Sequence, residues 1–156
     1  MPIPSLTTDG VLPPGVHTCT LEEIGAAFGT RAHSNQRMTL FTKLTELFAL
    51  VRRSDLATAF YVDGSFITDK LDPGDIDILI ALKQDHDWTR DIRPQIEYAV
   101  VDRKSLEKRF GFDIRVFSDA SDPLNEYIQF FCKPNPKYHQ HLVERGVVKG
   151  ILQVAA

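Results

Sequence analysis

The chain has 156 residues, 18 basic and 21 acidic side chains, a net charge of −3 at pH 7 and a hydrophobic share of 43%. That length supports one domain with its own core, and the mild acidity excludes a general nucleic-acid coat protein, which would be basic. No apolar run approaches the roughly 20 residues that span a bilayer, and the opening MPIPSLTTDG lacks the cationic start and apolar stretch of a signal peptide, so a cytoplasmic protein with no membrane partner is expected.

In chain order, the opening through Cys19 carries four prolines and little periodicity. It reads as an extended arm over residues 1–18, followed by a single domain over 19–156. Cys19 and Cys132 are too few for a disulfide framework and read as buried free thiols. Thr20 and Glu23 stand in capping-box spacing ahead of a short helix stopped by Gly29. Met38, Phe41, Leu44, Leu47, Phe48 and Val51 recur at threes and fours, which predicts an amphipathic helix over about 35–53. The run TAFYVDGS predicts a buried strand ending in a tight turn, with a helical turn over 66–70 and a loop at LDPGD.

DIDILIAL predicts a second strand, and DWTRDIRPQ, with Pro94, a polar connector. EYAVVDRKSLEKRF predicts a helix closed by Gly111, and FDIRVFSD a third strand. Asp122 is expected to cap a helix with Pro123 in its first turn. KPNPKYHQHLVERG reads as irregular and VVKGILQV as a last strand. The sum is an α/β (α+β) domain with a small mixed sheet flanked by helices.

Two features serve no core. Side chains alternate along a strand, so Asp75, Asp77 and Leu79 share one face while Ile76, Ile78 and Ile80 share the other. The two carboxylates emerge roughly 6–7 Å apart at ~3.3 Å per residue. Asp113 repeats the theme at the start of the third strand; if these strands are neighbours, three carboxylates converge. Two unit charges 4 Å apart repel by about 4 kcal/mol at an effective dielectric near 20, and a divalent cation reverses that sign. Mg²⁺ takes hard oxygen ligands and is completed by phosphate oxygens, an arrangement suited to phosphoryl chemistry. Gly64-Ser65 supplies a close backbone approach and a hydroxyl for a phosphate, with Lys70 a further phosphate contact.

The pattern apolar-Gly64-Ser65, nine residues, then Asp75-apolar-Asp77-apolar resembles the signature of the nucleotidyltransferase superfamily typified by DNA polymerase beta. The likeness covers about residues 58–118. More loosely, LPPGVHTCTLEEIGAAFG with VDGSFITDKLDPGDIDI is similar to small bacterial proteins of unassigned role within that superfamily. The resemblance implies a nucleotidyltransferase-like fold and transfer of a nucleoside monophosphate from a nucleoside triphosphate such as ATP to a hydroxyl. Asp75, Asp77 and Asp113 would ligate Mg²⁺ or Mn²⁺, and Gly64 and Ser65 would hold phosphates. The acceptor would be an RNA or tRNA, a protein or a small molecule.

Two departures bear on that acceptor. Phe66 and Ile67 stand where minimal members that serve as antitoxins carry Ala-Arg, and the large helical domains that bind primer or tRNA are missing. Rival readings are a catalytically idle binding module, paired with a cognate toxin or antitoxin or a phage-defence partner, and a single-metal phosphatase. For individual residues, Asp113 has an alternative in a salt bridge to Arg115. Asp63, Asp69 and Asp72 read as turn residues, and Tyr61 and Trp88 as packing residues. Arg103, Lys104, Lys108 and Arg109 read as a solvated face rather than an RNA-gripping patch. The pair His139 and His141, with Cys132, lacks the second matched pair of a zinc site.

Overall fold

In the computed structural model, residues 3–83 and 103–156 are described. Strand β1 (Gly15–Cys19) leads to a short helix α1 (Leu21–Ile24), which widens into a π-type turn over Gly25–Gly29. Then come α2 (Asn35–Ser54), β2 (Ala57–Asp63), a 3₁₀ turn (Ser65–Ile67) and β3 (Asp77–Leu82). Helix α3 (Arg103–Phe110), β4 (Asp113–Ser118), α4 (Asp122–Phe131), α5 (Pro136–Glu144) and β5 (Gly150–Ala155) complete the order. The domain is mixed α+β. Its five-stranded sheet has the order β1-β5-β2-β3-β4; β1 and β5 run parallel, β2 is antiparallel to both β5 and β3, and β3 and β4 run parallel.

Both faces of the sheet are covered. On one face Val62, Ile78, Ile80 and Ile114 pack with Leu44, Leu47 and Val51 of α2 and with Leu106 and Phe110 of α3. On the other, Tyr61, Leu79 and Ala81 pack with Leu124 and Phe131 of α4. A strand buried on both faces reads as a continuous apolar run, and β2 and β3 do. The alternation of Ile78 and Ile80 against Leu79 then fixes the register, because a slip by one residue would exchange the two faces.

Local chemistry sets most of the ends. Thr20 Oγ1 accepts from the Glu23 N–H at 3.2 Å, as its spacing predicts. Ser34 caps α2 by accepting from the Arg37 N–H. Gly111 closes α3 in a left-handed conformation, φ 74°. The α4 cap is Ser121, whose Oγ accepts from the Leu124 N–H, so Asp122 and Pro123 lie inside the first turn rather than at the cap.

Three further expectations are revised. Part of the arm is not an arm, because β1 adds to the sheet beside β5, and Val11 and Leu12 are buried. The segment expected to be irregular contains α5, in which Leu142 is fully buried. Its kink at His139 breaks the periodicity that would have advertised it. The second strand starts at Asp77, with Asp75 ahead of it. The polar connector with Pro94, Trp88 and the beginning of the helix expected from Glu97 lie outside the described residues. Cys19 is buried and Cys132 half-buried, both free, and burial pushes the Cys19 thiol up to about 12. Among the described residues no helix is long and apolar enough to cross a membrane.

Strand β5 enters the sheet through a position that excludes a side chain. A Cβ on Gly150 would stand 2.1 Å from the Pro13 carbonyl oxygen. Gly150→Ala is therefore expected to cost about 1–3 kcal/mol, the range for overpacking, read as a lower urea midpoint with an unchanged slope; an unchanged midpoint would contradict this packing.

Candidate active site

Three neighbouring strands place an aspartate at one level. Across β2 and β3, Asp63 is directly opposite Asp77; across β3 and β4, Asp77 is directly opposite Asp113. This level is the C-terminal end of β2 and the N-terminal end of β3 and β4, so one end of the sheet carries all three carboxylates on one face. Like charges directly opposite each other destabilise a sheet, and nothing in the packing requires them here.

Each acid meets the repulsion differently. Asp63 is buried and ion-paired with the buried Lys149, which precedes β5. Burial pushes the Asp63 carboxyl up, while the Lys149 ammonium and its hydrogen bond pull it down. Asp113 is half exposed at 51% and faces Arg115 Nε at 3.4 Å and Arg103 Nη2 at 3.9 Å. Asp77 is half-buried in the centre. Burial first, then Asp75, Asp63 and Asp113, push its carboxyl up to about 7, against an opposing pull from Lys149. It is a carboxylic acid poised to ionise near neutrality.

The Gly-Ser turn lies against the same end. Gly64 has φ 97°, and a Cβ there would stand 3.1 Å from both the Asp75 carbonyl oxygen and the Asp77 nitrogen. Only glycine lets the exit of β2 lie so close to the entry of β3. The Ser65 N–H and hydroxyl both donate to Asp75 Oδ1, at 3.0 and 2.5 Å, and the Phe66 N–H donates to the Asp75 carbonyl at 3.3 Å. The donors expected to cradle a phosphate thus hold a carboxylate, so Asp75 bridges the turn and the acid row.

Of the residues singled out from sequence, Asp77 and Asp113 are brought into register, with Asp75, Gly64 and Ser65 beside them. Lys70 is exposed five residues beyond Ser65. The Asp113–Arg115 salt bridge forms, and it coexists with the alignment to Asp77. Among the described residues no group of three or more His, Cys, Asp or Glu side chains stands, as placed, where it could hold a metal ion. Asp75 is turned to Ser65 and Asp113 to the arginines. The donor chemistry, three carboxylates around one level, nevertheless suits a hard cation.

Three residues at this end carry little local mark of their place there: Asp63, Lys149 and Arg103. Asp63, expected in a turn, is the buried last residue of β2. Its partner Lys149 is 86 residues away, and no local spacing announces such a pair. One sign was available: Asp63 lies two residues from Tyr61, hence on the same strand face.

The model of a family described as being of unknown function (DUF6932) matches residues 4–155, and the chain belongs to that family. No curated protein and no solved structure matches it.

The raised Asp77 carboxyl carries a pH signature. The folded chain keeps that proton to about pH 7, whereas the unfolded one releases it near the ordinary carboxyl value of 3.8. The folded state therefore binds more protons between those values, and the stability contributed by neutral Asp77 is full below about pH 4 and lost as pH rises through 7. Asp77→Asn, neutral throughout, should melt a few degrees above wild type near pH 8 without divalent cations, with the gap closing toward pH 4. Scanning calorimetry in a chelator checks this; a gap independent of pH would contradict it.

Proposed function

We propose that this DUF6932 member is a metal-dependent nucleotidyltransferase, moving a nucleoside monophosphate from a nucleoside triphosphate to a hydroxyl. The observation that supports the reading best is the row Asp63, Asp77, Asp113 on three adjacent strands, with the Gly64–Ser65 turn at its side. Such a row is repulsive when empty and is relieved by a cation bearing a polyphosphate. Asp75, Asp77 and Asp113 are the residues that would hold Mg²⁺ or Mn²⁺, which supplies the positive charge that polarises the phosphate and the attacking oxygen.

This chain's own groups account for the remainder. Ser65 offers its N–H and hydroxyl to phosphate oxygens once Asp75 turns away from them, and Lys70 at the loop's far end adds a cation. Asp113, the most exposed member of the row, orients the acceptor hydroxyl and takes its proton. The acceptor oxygen then bonds to the α-phosphorus as the bond from that phosphorus to the bridging oxygen breaks, and pyrophosphate leaves with the electron pair. The half-buried setting of Asp77 strengthens its interaction with charge placed beside it. By the same reading the partners are a nucleoside triphosphate and an RNA, tRNA, protein or small-molecule acceptor.

A second reading has its own support. Asp63, Asp75 and Asp113 each already have a partner in Lys149, Ser65 and Arg115, as in a module that uses the fold to bind a protein such as a cognate toxin or antitoxin and leaves the site idle. Calorimetry with Mg²⁺ and a non-hydrolysable triphosphate separates the two, since the idle module gives no heat.

For the enzyme, incubation with each α-labelled nucleotide and cell extract should label one fraction and release pyrophosphate. Asp77→Asn should lower transfer at least 100-fold with the fold intact; undiminished transfer by that variant, or release of orthophosphate instead, would remove the mechanism.

A further inference from the structure

A fully buried arginine lies beneath the Gly-Ser turn. Arg37, in the first turn of α2, is 0% exposed, and arginine is almost never so placed unless paired. Its guanidinium donates to four backbone carbonyls: Nη1 to Phe28 at 3.3 Å and Phe66 at 2.6 Å, Nη2 to Thr68 at 2.8 Å and Lys70 at 2.5 Å. Three of the four belong to alternate residues, 66, 68 and 70, of the segment between Ser65 and the LDPGD loop. The guanidinium carbon also stands 5.6 Å from the centre of the Phe66 ring. One helical turn earlier, Ser34 Oγ donates to Asp72 Oδ1 at 2.7 Å. The start of α2 thus grips the whole segment.

That segment has little regular structure of its own to keep its shape. The Thr68 N–H closes the 3₁₀ turn on the Ser65 carbonyl at 3.2 Å; beyond it, Asp69 N–H donates to the Gly10 carbonyl at 3.0 Å and Lys70 N–H to Thr68 Oγ1 at 3.3 Å. A planar fork with fixed donor directions specifies where several carbonyls must stand, and a lysine ammonium, a point charge with three donors, does not.

We infer that Arg37 is a positioning residue: its guanidinium is the template on which residues 66–70 are shaped, and through them it sets where Ser65 and Lys70 stand relative to Asp75 and Asp77. The inference rests on the reading of the turn as the phosphate-holding element and deepens it, since it makes the spacing of the two phosphate contacts a property of α2. Arg37 touches no substrate; it acts through the loop.

Hydrogen exchange and calorimetry on the full chain test this. In Arg37→Lys, amides of residues 66–70 should exchange at least ten-fold faster while those of β3 keep their rates. The α,β-methylene triphosphates of the four bases with Mg²⁺ should bind at least ten-fold more weakly. Unchanged exchange at 66–70, or an equal acceleration through β3, would overturn the assignment, the latter marking Arg37 as a general stability residue. Unchanged triphosphate affinity in a variant whose loop has loosened would overturn it too. Should Arg37→Lys fail to fold, the wild type decides: amides of 66–70 as protected as those of β3 support the template, and rapid exchange there overturns it. If wild type binds none of the four analogues, the nucleotide reading fails, while the exchange rates still decide whether Arg37 shapes the loop.

Discussion

Repulsion among carboxylates at one level of the sheet is the constraint from which the rest of the site follows. Asp63, Asp77 and Asp113 are directly opposite one another on three hydrogen-bonded strands, a placement that costs free energy wherever the charges are unscreened. The fold answers with one device per acid. A buried lysine meets Asp63, a pair of arginines meets Asp113, and a serine hydroxyl and N–H take up the nearby Asp75. Asp77, in the middle, is left to hold a proton up to about pH 7.

The remainder of the molecule keeps that row aligned. Cores on both faces lock the register of β2, β3 and β4, because any slip would carry isoleucines to the wrong side. Gly64 brings the exit of β2 against the entry of β3, and β5, entering through Gly150, delivers Lys149 to the same end. Glu107 of α3 accepts from the Ile114 N–H at 3.4 Å, which occupies one donor on the sheet's outer strand and ties α3 to the start of β4. Arg103, on the same helix, pairs with both Glu107 and Asp113. A helix read from sequence as a solvated basic face therefore contributes one arginine to the site, while Lys104, Lys108 and Arg109 remain exposed.

What was legible depended on whether the signal was local. The stripe from Leu44 to Val51, the alternation in DIDILIAL and the caps at Thr20 and Gly111 are written within a few residues of where they act, and those elements form, the strand beginning at Asp77 rather than Asp75. Strand β1 hid behind prolines that break the sequence before it but leave Gly15–Cys19 free to pair. Helix α5 hid because its kink at His139 interrupts the helical period. Met38, counted in the apolar stripe of α2, is 51% exposed, and Arg37 one position earlier is buried in a helix where charge ordinarily marks the outer face. The Asp63–Lys149 pair lies beyond any local pattern, joined only by folding. The Gly64-Ser65 and Asp75-x-Asp77 spacing pointed to the end of the sheet where the aspartates align; it did not foretell that Ser65 would hold Asp75.

Uptake of a divalent cation by Asp75, Asp77 and Asp113 decides the proposed function. Mn²⁺ titration followed by electron paramagnetic resonance, on wild type and Asp77→Asn at a pH above 7, measures that directly. Saturable binding by wild type that weakens at least ten-fold in the variant is the predicted result. Equal binding by the two proteins, or none by either, would contradict it.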